Sequence, residues 1–178
     1  MEIFTNIDVY WAIAQEAHAA MRLDLGPLMT PKEDGSSGHV IQWTDDRRSF
    51  KNAMIAVVFA GMYLEALIFI ALQRRFGRNE AVKVDRKNYE DRLRKLGITD
   101  SDLLERVKLF REVRKDLVHE KALLSLDLGL QPIRVAQKEA DRAISLVRDL
   151  SERFLAPTTG VASFDVYPKG DGQREQHD

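Results

Sequence analysis

The chain has 178 residues, 44% of them apolar and 31% charged, with a formal net charge of −1. These values fit one soluble domain with a real core and argue against a protein that grips nucleic acid through bulk charge. The absence of cysteine excludes disulfides, thiolate nucleophiles and cysteine-held zinc together. The opening MEIFTNIDVYW lacks the basic and apolar regions of a signal peptide, which predicts a cytoplasmic location.

Residues 5–23 read as a first helix, with Val9, Ala12, Ile13, Ala20 and Leu23 on a mixed apolar stripe and Asn6 or Asp8 at the cap. Leu25 to Gly38 holds two prolines, three glycines and two serines, the composition of a loop, mobile around Glu33 to Gly38. His39 to Trp43 has the character of a short strand, but no partner for it is evident.

A second helix is expected from Thr44 or Asp45 to Phe76, stopped by Gly77. Its run from Ala53 to Leu72 is long enough to raise the question of a membrane span. Tyr63, Glu65 and the alanine and glycine content favour the central helix of a bundle instead. A buried Glu65 needs a cation, and Arg114 is the candidate partner; the alternative sets Glu65 on a thin polar edge facing water. Arg74, Arg75, Arg78, Lys83, Arg86 and Lys87, continued by Arg92, Arg94 and Lys95, admit a local basic patch for nucleic acid, but read first as a solvated basic helix end.

Asn88 to Leu96 predicts a short helix ending at Gly97. Thr99, Asp100 and Ser101 then offer cap oxygens for an amphipathic helix over Ser101 to Ala122, with Leu103, Leu104, Val107, Phe110, Val113, Leu117 and Val118 on one face. After a break around Gly129, Pro132 suits the first turn of a last helix reaching Leu155. Residues 157–178 are expected to be an extended or disordered tail. The expected architecture is all-α: four main helices and one short helix in a single domain over residues 1–156, with a loop over 25–43.

The amphipathic helix carries Arg114-Lys-Asp-Leu-Val-His119, an arginine and a histidine with four residues between them. This R-x4-H pattern resembles the signature of HEPN domains, and Phe59 to Leu72 resembles the long second helix of that superfamily, glutamate included. The likeness spans roughly residues 44–155. Lys115 departs from the pattern, since Asn, Asp or His most often follows the arginine; here Asp116 comes one place later. The resemblance implies a HEPN-like helical bundle, usually a homodimer, acting as a metal-independent endoribonuclease without cofactor. It also admits a toxin or defence role opposite a cognate antitoxin protein.

On an ideal helix Arg114 and His119 lie about 140° apart, so they do not meet within one helix. Two antiparallel motif helices across a two-fold axis would bring both pairs to one cleft, as the resemblance implies. There His119 would move protons to or from the 2′-hydroxyl and the leaving 5′-oxygen. Arg114 would hold the phosphate, Glu65 would orient Arg114, and Arg111 and Lys115 would add positive charge for RNA at the rim.

Two alternatives have their own residues. Glu112, Asp116 and His119 share a helix face at i, i+4 and i+7 and would suit a divalent ion. A non-catalytic helical dimer that binds RNA or protein would explain Lys115 and the near-neutral charge. Nucleophile elbows, P-loops and dinucleotide fingerprints are absent.

Overall fold

The computed structural model describes residues 6–42, 46–118 and 136–155. In chain order these form helix α1 (Ile7–Leu25), a 3₁₀ turn (Gly26–Leu28), strands β1 (Met29–Pro31) and β2 (His39–Ile41), then helices α2 (Arg48–Phe76), α3 (Arg78–Asp85), α4 (Tyr89–Lys95), α5 (Ser101–Val118) and α6 (Ala136–Leu155). The described residues are thus mostly helical, with one small hairpin among them. The tail over 157–178, the break around Gly129 and the start of the last helix lie outside the described residues.

Small side chains let α1, α2 and α6 meet closely. Ala14 and Ala17 of α1, Ala53, Ala56, Ala60 and Gly61 of α2, and Ala140 and Ala143 of α6 are all buried. Larger chains fill the spaces between them: Met21, Val57, Leu64, Ile68, Val147 and Leu150 have no exposed surface. At about 1.5–3 kcal/mol for each fully buried large side chain, this packing outweighs any surface ion pair, worth about 0–1 kcal/mol. Ring contacts of Tyr10 with Phe59 (6.3 Å) and Trp11 with Tyr63 (5.0 Å) extend the α1–α2 seam. The buried Gln137 amide donates to Ser49 Oγ at 2.9 Å and ties α6 to the first turn of α2.

Helix α2 is long and apolar enough to cross a membrane by length and composition, and 56% of its most apolar window is buried inside the bundle. It begins at Arg48, not at Thr44 or Asp45. Arg47 sits in the left-handed region at φ 49°, which breaks the helical path before those cap candidates can serve it. At the other end Gly77, at φ 80°, turns the chain out of α2 and straight into α3. A side chain would strain that turn, so glycine is the residue that fits.

Two further expectations change. The segment after Gly77 is a separate helix, α3, whose Ala81 and Val84 are buried; its basic residues had masked this short apolar pair. Strand β2 does have a partner: Met29, Thr30 and Pro31 pair antiparallel with Ile41, Val40 and His39, inside the stretch expected to be loop. Pro31 lacks an N–H, which suits the end of a strand on a two-stranded edge and hides the strand from a pattern search.

Helix α5 starts where its cap predicts. Asp100 Oδ1 accepts the Leu103 N–H at 3.1 Å, while Oδ2 accepts from Arg153 of α6 at 2.7 Å. Leu103, Leu104, Val107, Phe110 and Val113 are buried along one face. Along its flanks α5 pairs charges with its neighbours: Arg106 with Asp149 of α6 (2.7 Å), Arg111 with Glu90 of α4 (3.2 Å) and Arg114 with Glu65 of α2 (2.9 Å). Asn88 caps α4 by accepting the Asp91 N–H at 2.8 Å, which fixes where Tyr89 and Glu90 enter the bundle.

Candidate functional site

Where α2, α4 and α5 meet, three side chains share hydrogen bonds in a triangle. Arg114 Nη1 donates to Glu65 Oε1 at 2.9 Å and to the Tyr89 hydroxyl at 2.7 Å. The Tyr89 hydroxyl in turn donates to the same Glu65 oxygen at 2.7 Å. Arg114 is a partner of Glu65, as its place in an apolar helix suggests, although Glu65 keeps 44% of its side chain exposed. The two expectations for Glu65 therefore both hold in part: it is paired, and it also reaches solvent at the cleft.

The local sequence sets this up. Arg114 crosses α2 at Gly61, whose missing Cβ leaves room for the guanidinium stem; a built Cβ would lie 2.5 Å from Arg114 Cδ and Nε. Tyr89 is 3% exposed, and the Arg92 guanidinium lies 4.9 Å from its ring centroid. Arg92 is itself buried and paired with Asp85 at 2.6 Å. Burial raises the Tyr89 pKa well above the ordinary phenol range; nearby Arg114 opposes the rise and Glu65 adds to it. Burial works against the Arg114 charge, but Tyr89 and Glu65 outweigh it and hold its pKa above the ordinary value. At neutral pH the Arg114 guanidinium is thus charged and the Tyr89 phenol neutral.

The triangle forms one wall of an open cleft of about 380 Å³. Glu65, Asn88, Tyr89 and six cations line it: Arg86, Lys87, Arg92, Arg111, Arg114 and Lys115. A protein of net charge −1 has gathered positive charge here. The cations differ in how they are compensated. Arg92, Arg111 and Arg114 each hold a carboxylate, whereas Arg86, Lys87 and Lys115 are exposed and make no ion pair among the described residues. The Nε groups of Arg92, Arg111 and Arg114 and the Oε2 of Glu90 are buried with no partner among the described residues.

The structure brings together Glu65, Arg111, Arg114 and Lys115. Arg111 is no free rim charge, because Glu90 takes its Nη2. His119 lies outside the described residues. Of the divalent-ion alternative, Glu112 and Asp116 are described, and among the described residues no three acidic or histidine groups converge.

Sequence reasoning missed Tyr89 and Gly61, and it set Arg86 and Lys87 in a local basic patch without separating them from the rest of the run. The basic run after α2 does not form one solvated helix end. It divides: Arg75 donates to the Leu96 carbonyl at 2.6 Å, Arg92 is buried, and Arg86 and Lys87 turn to the cleft. Gly61 did carry a signal, since a lone glycine inside an alanine- and leucine-rich helix marks a close approach.

No protein-family model matches the chain, and comparisons with curated proteins and with solved structures return no match.

Proposed function

We propose that the chain is a HEPN-like, metal-independent endoribonuclease that acts as a homodimer paired through α5. The observation that supports this reading best is the fixed Arg114, held by Glu65 and Tyr89 at the wall of a cationic cleft. An arginine fixed through one Nη presents the rest of its fork in a set direction, which suits the developing charge on a phosphate. His119 follows five residues later in the chain. Across a two-fold axis it would supply the proton transfer that Arg114 cannot.

In this mechanism the 2′-oxygen attacks the adjacent phosphorus, an O2′–P bond forms and the P–O5′ bond breaks. One His119 accepts the 2′-hydroxyl proton and the other, protonated, gives a proton to the leaving 5′-oxygen. The products are a 2′,3′-cyclic phosphate and a 5′-hydroxyl. DNA, with no 2′-hydroxyl, would bind but not react.

The test is incubation of purified protein with total RNA in EDTA. Degradation with cyclic phosphate ends is the expected result, and intact RNA from a folded dimer removes the nuclease reading. Sedimentation giving a monomer at tens of micromolar would remove the shared-cleft geometry as well.

One observation favours a second reading, a non-catalytic binding module that holds RNA or an antitoxin-like protein. Arg114 already has an internal carboxylate, so its position is accounted for by folding alone. RNA bound without cleavage in the same experiment would select that module.

A further inference from the structure

The exposed cations Arg86 and Lys87 belong to the α3–α4 connection and not to the motif helix, yet they open onto the same cleft as Lys115 and Arg114. Their charge is uncompensated among the described residues, and the Arg86, Lys87 and Lys115 side chains are all exposed to the cleft. A ligand rich in anionic oxygens would compensate it. Among the described residues Tyr89 is the only aromatic lining the cleft, and it is buried with its hydroxyl engaged, so no ring is offered for a base to stack on. With point charges and guanidinium forks but no stacking platform, the cleft can read phosphates and little else.

We infer that Arg86 and Lys87, with Lys115, form a backbone subsite that holds phosphodiester groups of single-stranded nucleic acid irrespective of sugar and base. The choice of ligand rests on the ribonuclease reading; the cation placement does not. Selectivity for RNA would then arise in the cleavage step, through the 2′-hydroxyl, and not in binding. An acidic peptide is the competing anion, since carboxylates and phosphates both pair with guanidinium groups, and competition by polyglutamate against polyphosphate separates the two.

The experiment uses the full chain carrying His119→Ala, in EDTA, with a short 5′-labelled single strand made once as RNA and once as DNA of the same sequence. Fluorescence anisotropy should give affinities for the two within about threefold, because both present the same phosphates. Arg86→Glu with Lys87→Glu should weaken both by at least about tenfold and flatten the salt dependence by about 0.7 for each phosphate no longer neutralised. Lys51→Glu with Lys138→Glu makes the same change in net charge at exposed positions outside the cleft, and should stay close to the parent.

RNA preferred over DNA by more than tenfold would overturn the inference. So would an Arg86/Lys87 variant that binds like the Lys51/Lys138 control, or polyglutamate that competes as well as inorganic polyphosphate. The two claims fail separately. If the parent leaves RNA intact but strands still bind through Arg86 and Lys87, the subsite stands and the nuclease reading falls. If the parent cleaves RNA and the Arg86/Lys87 variant keeps its KM, the subsite falls and the nuclease reading stands.

Discussion

Arg114 lies across the bare backbone of Gly61, so close that a methyl group there would sit 2.5 Å from its Cδ and Nε and 3.0 Å from its Cζ. The arginine's place therefore depends on a residue with no side chain, one turn before Glu65 on the same helix.

Gly61→Ala should separate fold from site. Alanine favours the helix by about 1 kcal/mol over glycine, while overpacking costs about 1–3 kcal/mol. The arginine stem can swing away, so urea unfolding should show a net loss below about 2 kcal/mol. RNA cleavage should nevertheless fall to near the level of Arg114→Ala. Parental cleavage in Gly61→Ala would mean that Arg114 need not stay where Glu65 and Tyr89 hold it.

Tyr89→Phe removes one donor to Glu65 and one acceptor from Arg114 and should cost about 1–3 kcal/mol in unfolding free energy. Its pH behaviour is also set. The folded-state pKa lies above the unfolded value near 10, so the native state keeps a proton that the unfolded chain gives up. The contribution is complete below about pH 10 and is lost as pH rises beyond it. Ultraviolet titration of the parent against Tyr89→Phe should show the Tyr89 phenol protonated until the protein unfolds. A Tyr89 phenol ionising near pH 10 in folded protein would contradict its burial.

Much of this arrangement can be read in the sequence, and its limits have physical reasons. Asp100 and Asn88 announce their helices because a cap is a local bond between neighbours in the chain. Glu65 points to Arg114 because a carboxylate in an apolar helix requires a cation. Tyr89 gives no such sign: its role comes from where α4 docks, and a tyrosine opening a short helix looks like any core aromatic. Arg86 and Lys87 differ from Arg92 and Arg75 only in which way each faces, and a charge run does not encode direction. Strand β1 hides because three residues ending in proline carry no alternation to detect.

Glu65→Gln keeps an acceptor for Nη1 and for the Tyr89 hydroxyl but removes the one carboxylate lining the cleft among the described residues. The pair is partly exposed, so stability should change by less than about 1 kcal/mol. Binding of single strands should tighten while cleavage slows, with the pH profile unchanged in shape. A shifted pH profile would instead assign Glu65 a share in proton transfer.

His119→Ala should lower the cleavage rate by about 10²- to 10⁴-fold and leave RNA affinity nearly intact. Arg114→Ala should lower both, and Arg114→Lys should rescue poorly because a point charge cannot reproduce the fork. Single-turnover rates and anisotropy measure the two effects. If both alanine variants fold, dimerise and match the parent, the R-x4-H spacing has no part in the chemistry.

The charge pairs along α5 recur at Asp100, Arg106, Arg111 and Arg114, and their partners stand on three other helices. Apolar faces tolerate sliding, since one leucine can take another's hole at modest cost. Four pairs that must all be met at once do not, for a shift of a single turn would break every one. Each is weak alone, yet together they act as the notches of a key, admitting one axial setting of the helix. The buried face of α5 can then drift among hydrophobes of like volume over many sequences while the guanidinium at its end stays over the same glycine.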